Sequence, residues 1–266
     1  MTVYIGTSGY GHPDWQGLFY PKELTRSQWL EYYSQHFNSV EIEATFFGLP
    51  ASPVFRHWRL RTPKDFHFFL KGSRQITHHE RLRDCHDLLA EFFQRASELQ
   101  EKLAGVLWQL PPKFGHDVEL LEEFLGEMER VQVVYGKVRQ AFEFGDISWF
   151  REEVYEILER FGVAIAIADG LFNLQINNGE PVTEKARGEY DVRPLIDVPP
   201  TADFFYLRRH GPADVIGAAY TRQELEALAR ELQPLLTDRD SYIFFTNDRN
   251  ASATGNGQEL QKLLFS

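Results

Sequence analysis

Short runs of β-branched and aromatic residues alternate along the whole chain with stretches whose apolar residues recur at three-to-four spacing, and that alternation admits few folds. Strand-like runs lie at 3–7, 39–45, 66–71, 104–110, 138–144, 163–168, 204–208 and 242–246. The sixth is almost wholly apolar, as suits a parallel strand covered on both faces. Helical patterns fall at 24–37, after Ser52-Pro53, at 82–103, at 117–128, from a Ser148 cap to 161, and at 258–264. Thr221 with Glu224 reads as a capping box opening a helix to about 232.

Eight strands alternating with helices over 266 residues predict an α/β fold, a single (β/α)8 barrel of the TIM type forming one domain over 1–266. The segment from about 170 to 200 is irregular, with a turn signal at Asn177-Asn178-Gly179, and reads as an excursion at the barrel mouth. A doubly wound open sheet is the alternative. It is disfavoured because no GxGxxG follows a strand and no GxxxxGK[ST] loop is present, so no nucleotide cofactor is signalled.

Composition narrows the function classes. Formal charge is −11, with 39 acidic against 28 basic residues, which disfavours nucleic-acid backbones as partners. A lone cysteine, Cys85, sits in a helical pattern and reads as a partly buried thiol with no disulfide. The first residues lack a charged segment followed by a long apolar one, and no run approaches the roughly 20 apolar residues of a membrane span. The expectation is a cytoplasmic, enzyme-sized protein with a small-molecule ligand and no membrane partner.

In a TIM-type fold the C-terminal ends of the strands supply the active site. Parity along the second run places Val40, Ile42 and Ala44 toward the helices and Glu41, Glu43 and Thr45 toward the barrel axis. Inward carboxylates need partners. Lys71 ends the third strand, Gln109 the fourth and Glu143 the fifth; Asp169 follows the sixth, Arg208 and His210 end the seventh, and Asn247 and Asp248 follow the eighth. The predicted pairings are Glu43 with Lys71 and Glu143 with Arg208. Glu43, Lys71, Glu143, Asp169 and His210 are the candidates for catalysis. Tyr10, Thr45, Gln109, Trp149, Arg208 and Asn247 are the candidates for substrate binding, and Glu41 reads as a buried acid tying strands together. By parity Arg209 points outward and is structural. Glu41, Glu43, Glu143 and Asp169 have the chemistry for a divalent metal, but Lys71 and Arg208 already balance those acids, so no metal is assigned. The adjacent pair His78-His79 lacks the spacing of a metal motif.

The ordered set IGTSGY (5–10), DWQGLFYP (14–21), VEIEATFF (40–47), FFLKG (68–72), ITHH (76–79), WQLPP (108–112), SWF (148–150), IADG (167–170), YLRRHG (206–211) and FFTND (244–248) resembles the DUF72 family, also described as YecE-like, over nearly the whole chain. The resemblance implies a TIM-type barrel. It also implies one shared pocket built from Glu41, Thr45, Lys71, Gln109, Glu143, Asp169, Arg208, His210 and Asn247. It carries no assigned reaction. The chain departs from the pattern at three places. Glu43 stands where the family has Asn, Gly145-Asp146 replaces a basic Arg-His pair, and Asn256 precedes Gly257 where an Asn-Ala pair is expected to open the last helix. These departures predict a more acidic pocket. The leading expectation is a small-molecule enzyme of hydrolase or lyase type acting on a polar or anionic metabolite. Lys71 would also permit Schiff-base chemistry. A noncatalytic ligand-binding or sensing barrel is the alternative, and a nucleic-acid-processing enzyme ranks below both.

Overall fold

The structure is a computed structural model that describes residues 1–169, 198–212 and 218–265. Its strands are β1 (Val3–Thr7), β2 (Ser39–Ile42), β3 (His67–Lys71), β4 (Leu103–Gln109), β5 (Arg139–Glu143), β6 (Ala164–Ile165), β7 (Ile167–Ala168), β8 (Phe204–Arg209) and β9 (Asp240–Phe245). The helices are α1 (Trp29–Tyr33), α2 (Ala44–Phe47), α3 (Ser52–Leu60), α4 (His86–Ala96), α5 (Val118–Tyr135), α6 (Glu152–Phe161), α7 (Arg222–Leu232) and α8 (Ser252–Phe265). The sixth apolar run is divided at Ala166 into β6 and β7. Most of the excursion expected at 170–200, with its Asn-Asn-Gly turn, lies outside the described residues.

Contacts divide the chain into two compact units. One holds Met1–Val40, the stretch beginning at Ala166, and the chain from Asp203 onward; the other holds Glu41–Ile165 with Pro200–Ala202. In the second unit the strands run in the order β2-β3-β4-β5-β6. In the first the order is β1-β9-β8-β7, and β1 pairs in parallel with β9, the first strand beside the last. Parallel neighbours in sequential order with the first strand against the last belong to the TIM-type α/β fold. A doubly wound sheet would instead reverse its order at a switch point.

The cores are aromatic. Tyr4 stacks on Tyr242 at 4.7 Å across β1 and β9. In the second unit Trp108 of β4 is fully buried, meets Phe92 of α4 and Phe124 of α5, and donates its indole N–H to Gln140 at 2.7 Å. Gly72 exists to let that ring in: a Cβ there would lie 2.2 Å from Trp108 Cε3. Gly72→Ala is therefore expected to cost about 2–3 kcal/mol, read by urea denaturation, because the buried Trp108 ring, in contact with Phe92 and Phe124, would have to shift. A cost below about 0.5 kcal/mol would contradict this packing.

Several boundaries differ from those read in the sequence, each for a physical reason. The strand expected to reach Thr45 stops at Ile42, because Glu43 adopts a helical backbone (φ −79°, ψ −20°) and opens α2. The helix expected over 82–103 begins only at His86, since Arg81, Leu82 and Asp84 have positive φ of 50°, 68° and 48°. It ends at Ala96, and a tighter turn over Ser97–Lys102 contains Gln100 at φ 51°. Cys85 therefore precedes the helix rather than lying in it. The helix expected at 24–37 is α-helical only over Trp29–Tyr33. α5 runs past the expected 128 to Tyr135, keeping Val131 and Gln132 buried, and stops at Gly136 with φ 103°. Ser148 does not cap α6, which starts at Glu152; its hydroxyl instead accepts from the His116 N–H at 2.9 Å. The last helix starts at Ser252, not at 258. Asn256 thus lies inside it, and Gly257 packs against Phe37, where a Cβ would come within 2.8 Å of the ring. Tertiary contact sustains a helix segment, Gly255-Asn256-Gly257, that propensity alone disfavours.

Candidate functional site

In the second unit the ends of β2 and β3 converge on Lys71. Its ammonium lies 3.3 Å from Glu43 Oε1 and 4.4 Å above the centre of the Phe46 ring. The Lys71 side chain is 8% exposed and that of Glu43 33%, so the cation is enclosed while its partner carboxylate still meets solvent. The predicted Glu43–Lys71 pair is present, but parity does not produce it. The turn at Glu43 does, by swinging the carboxylate and the Phe46 ring toward the end of β3. Thr45 is buried, and its hydroxyl is directed to the backbone carbonyls of Ile42 (3.0 Å) and Lys71 (2.6 Å). It ties α2 to β3. Glu41 is fully buried in β2.

One strand further, Gln109 and Glu143 are register partners across β4 and β5, and the Gln109 amide donates to Glu143 Oε1 at 2.6 Å. Trp149 does not line an open surface. It is fully buried, stacks on Phe144 at 4.8 Å, and donates its indole N–H to the Phe114 carbonyl at 2.5 Å. Asp146 accepts from the Ser148 N–H at 2.9 Å and caps the turn Ile147–Trp149, so its charge serves that turn. A side chain at Gly145 would meet the Leu110 carbonyl oxygen at 2.8 Å. The backbone approach that requires glycine leaves no room for an arginine there.

A separate cluster forms in the first unit around Asp169. Asp169 Oδ1 accepts from the His210 backbone N–H at 2.6 Å, and Oδ2 takes the Tyr220 hydroxyl and lies 3.1 Å from Arg209 Nε. The Arg209 guanidinium also covers the Tyr220 ring at 4.7 Å. Burial, and secondarily the Asp169 charge working against Arg209, pushes the Tyr220 hydroxyl well above its usual range. His210 Nδ1 is 2.7 Å from the Thr246 hydroxyl. Asn247 is buried and its amide donates to the Ala218 carbonyl and to Asn256 Oδ1, both at 2.8 Å. Asn256 also accepts from the Tyr220 N–H at 2.9 Å and donates to the Tyr220 carbonyl at 3.0 Å. Asp169 and Asn256 therefore spend polar atoms on holding Tyr220 in place, and Asn247 on holding Asn256. Arg208 is buried in β8. Tyr10 is partly buried; its ring lies 6.3 Å from that of Tyr33 and its carbonyl accepts from the Tyr20 hydroxyl at 2.5 Å.

Tyr220, Asn256 and His78 were not singled out as site residues from the sequence. Tyr220 and Asn256 carried no local signal beyond their place around a helix cap and a glycine. His78 was weighed only as a metal ligand. Among the described residues no three His, Cys, Asp or Glu side chains are grouped to hold a metal. Burial, with the charges of Glu80 and Asp84, pushes the Cys85 thiol up to about 12, which keeps it protonated and unreactive at neutral pH. Among the described residues no helix is long and apolar enough to cross a membrane.

The family model described as "Protein of unknown function DUF72" matches residues 4–266. The chain belongs to the DUF72 family. It is 37% identical over 127 residues to the UPF0759 protein YecE of Escherichia coli (strain K12), a match spanning 47% of this chain and 44% of that protein. It thus aligns with under half the length of that relative. With the UPF0759 protein YunF of Bacillus subtilis (strain 168) identity is 26% over 98% of this chain and 94% of the other. A solved DUF72 family protein from Thermotoga maritima is 27% identical with a TM-score of 0.79, covering the whole of both chains. A D-psicose 3-epimerase from Clostridium cellulolyticum, at 10% identity and a TM-score of 0.53 over 99% of this chain and 97% of that one, shares the fold alone. Within the DUF72 pattern, the acidic departures are local here: Glu43 is matched by Lys71, and Asp146 caps a turn.

Proposed function

We propose that this DUF72 protein is a small-molecule enzyme acting on a polar carbonyl metabolite, with Lys71 engaging the substrate and Glu43 assisting as an acid–base group. The observation that carries this reading is the setting of Lys71 at a strand end, held by one carboxylate at 3.3 Å and one aromatic face at 4.4 Å. An enclosed amine with a partly solvated carboxylate beside it has the parts for imine formation, and lyase chemistry follows readily from an imine. Phe47, two-thirds exposed and edge-on to Phe46, offers an apolar surface next to the amine.

The test is borohydride reduction of the protein in the presence of a panel of carbonyl metabolites, followed by peptide mass mapping. A reduced adduct on Lys71 with at least one of them is the expected result. No Lys71 adduct across the panel, with formaldehyde reacting normally as a control, would sink the proposal. A noncatalytic ligand-binding role is favoured by one observation, the commitment of the catalytic candidate Asp169 to internal hydrogen bonds. Thermal-shift hits that yield no product would support that second reading.

A further inference from the structure

We propose that His78 carries protons to and from Lys71 during imine formation at the end of β3, an inference that rests on the carbonyl reading above. His78 lies in a five-residue π-helical turn, Gln75–His79, directly after β3. Such turns are rare and recur at functional sites. The turn places the His78 ring against Phe46, with ring centres 5.1 Å apart and planes at 79°. The same Phe46 ring carries the Lys71 ammonium on its face. One side chain is thus the shared wall of both groups.

The Thr77 hydroxyl holds the imidazole by Nδ1. The buried Thr77 hydroxyl donates to the Ser73 carbonyl at 3.2 Å and lies 2.9 Å from His78 Nδ1. A hydroxyl has a single proton to give. In the proposed arrangement that proton goes to the Ser73 carbonyl and Nδ1 donates to Thr77, which leaves the lone pair on Nε2. Burial first, then the positive charges of Lys71, Arg74 and His79, hold His78 below its ordinary pKa. Among the described residues these charges come from Lys71 at the end of β3, itself paired with the Glu43 carboxylate of the β2 end, from Arg74 just before the turn and from His79 within it; Arg74 Nη2 sits 3.3 Å from His79 Nε2. His78 is therefore a neutral base at neutral pH.

The proton balance closes without a co-reactant. Through one intervening water, Nε2 takes a proton from the Lys71 ammonium, and the freed amine attacks the carbonyl carbon. The new C–N bond forms as the C=O π pair moves to oxygen, and a proton shifts from nitrogen to that oxygen. The imidazolium returns its proton to the hydroxyl, water leaves, and the nitrogen lone pair closes the C=N bond. Ammonium plus carbonyl becomes iminium plus water, and His78 ends as it began.

The experiment uses the full chain with formaldehyde and cyanoborohydride, a probe that forms an imine at any accessible amine. Methylation at Lys71 is followed by mass spectrometry across pH, with exposed Lys64 as the internal reference. His78→Asn is expected to slow Lys71 relative to Lys64 at pH 7 by at least ~10-fold. It should also remove an inflection of the wild-type profile below pH 6.5, where protonation silences the base. Thr77→Val, which releases Nδ1, is expected to slow Lys71 as well, and Thr77→Ser to restore it. An unchanged Lys71/Lys64 ratio and pH profile in folded His78→Asn and Thr77→Val overturns the proposal. Loss of the carbonyl reading looks different: no metabolite adduct forms, yet the His78 effect on formaldehyde persists.

Discussion

Lys71→Met is expected to abolish every borohydride-dependent adduct at that peptide while leaving the fold intact. The two halves of that expectation have separate physical grounds. Methionine keeps an unbranched chain and can lay its polarizable thioether on the Phe46 ring where the ammonium now lies. Removing one partner of a buried ion pair is costly when the other is left desolvated. Here the remaining partner, Glu43, is a third exposed and can be solvated where it stands. The expected stability change is within about 1–2 kcal/mol in a urea titration. An adduct surviving at the same peptide in Lys71→Met would remove Lys71 from the chemistry. A loss of more than about 4 kcal/mol would show the ammonium to be a structural centre instead.

Asn256→Leu is expected to cost about 3–5 kcal/mol, since each buried group left without its partner costs about 1–3 kcal/mol and such costs do not add fully. The substitution is close in volume, so the loss is one of hydrogen bonding rather than of space. It strands the Tyr220 N–H, the Tyr220 carbonyl and one Asn247 amide hydrogen. The effect should spread, because the Tyr220 hydroxyl holds Asp169, and Asp169 in turn fixes the His210 backbone. Urea denaturation gives the cost, and amide hydrogen exchange at Gly211, whose N–H donates to the Tyr220 hydroxyl at 2.7 Å, reports the loosening. A cost under about 1 kcal/mol would mean that the Asn256 bracket is not what holds Tyr220.

The Asn256 bracket also shows where reading along the chain stops. The sequence marks Asn256 only through the glycine that follows it, which predicts a place at the opening of the last helix. Its partners are 36 and 9 positions away, and nothing local to the residue names them. Asp169 is similar: its partners lie 41 and 51 positions on, so a candidate for catalysis emerged as the anchor of a loop. Lys71 and Glu43 were legible because both stand next to strands whose ends could be read from hydrophobic pattern. Even there the route was different, since parity was carried one residue past the point where the backbone turns.

What the sequence by itself determined is the α/β order of the TIM type, because hydrophobic period is a local property and it directly encodes which face of each element is buried. Strand ends follow from it to within a few residues, and with them the short roster of polar side chains at the mouths of the strands. Tertiary structure decided what each of those side chains does. Burial and hydrogen-bond partners are set by contacts between distant segments. Such contacts enclosed Trp149, tied Thr45 to the Lys71 carbonyl, turned Asp169 toward Tyr220 and Asn247 toward Asn256, and placed Lys71 and His78 on one phenylalanine ring.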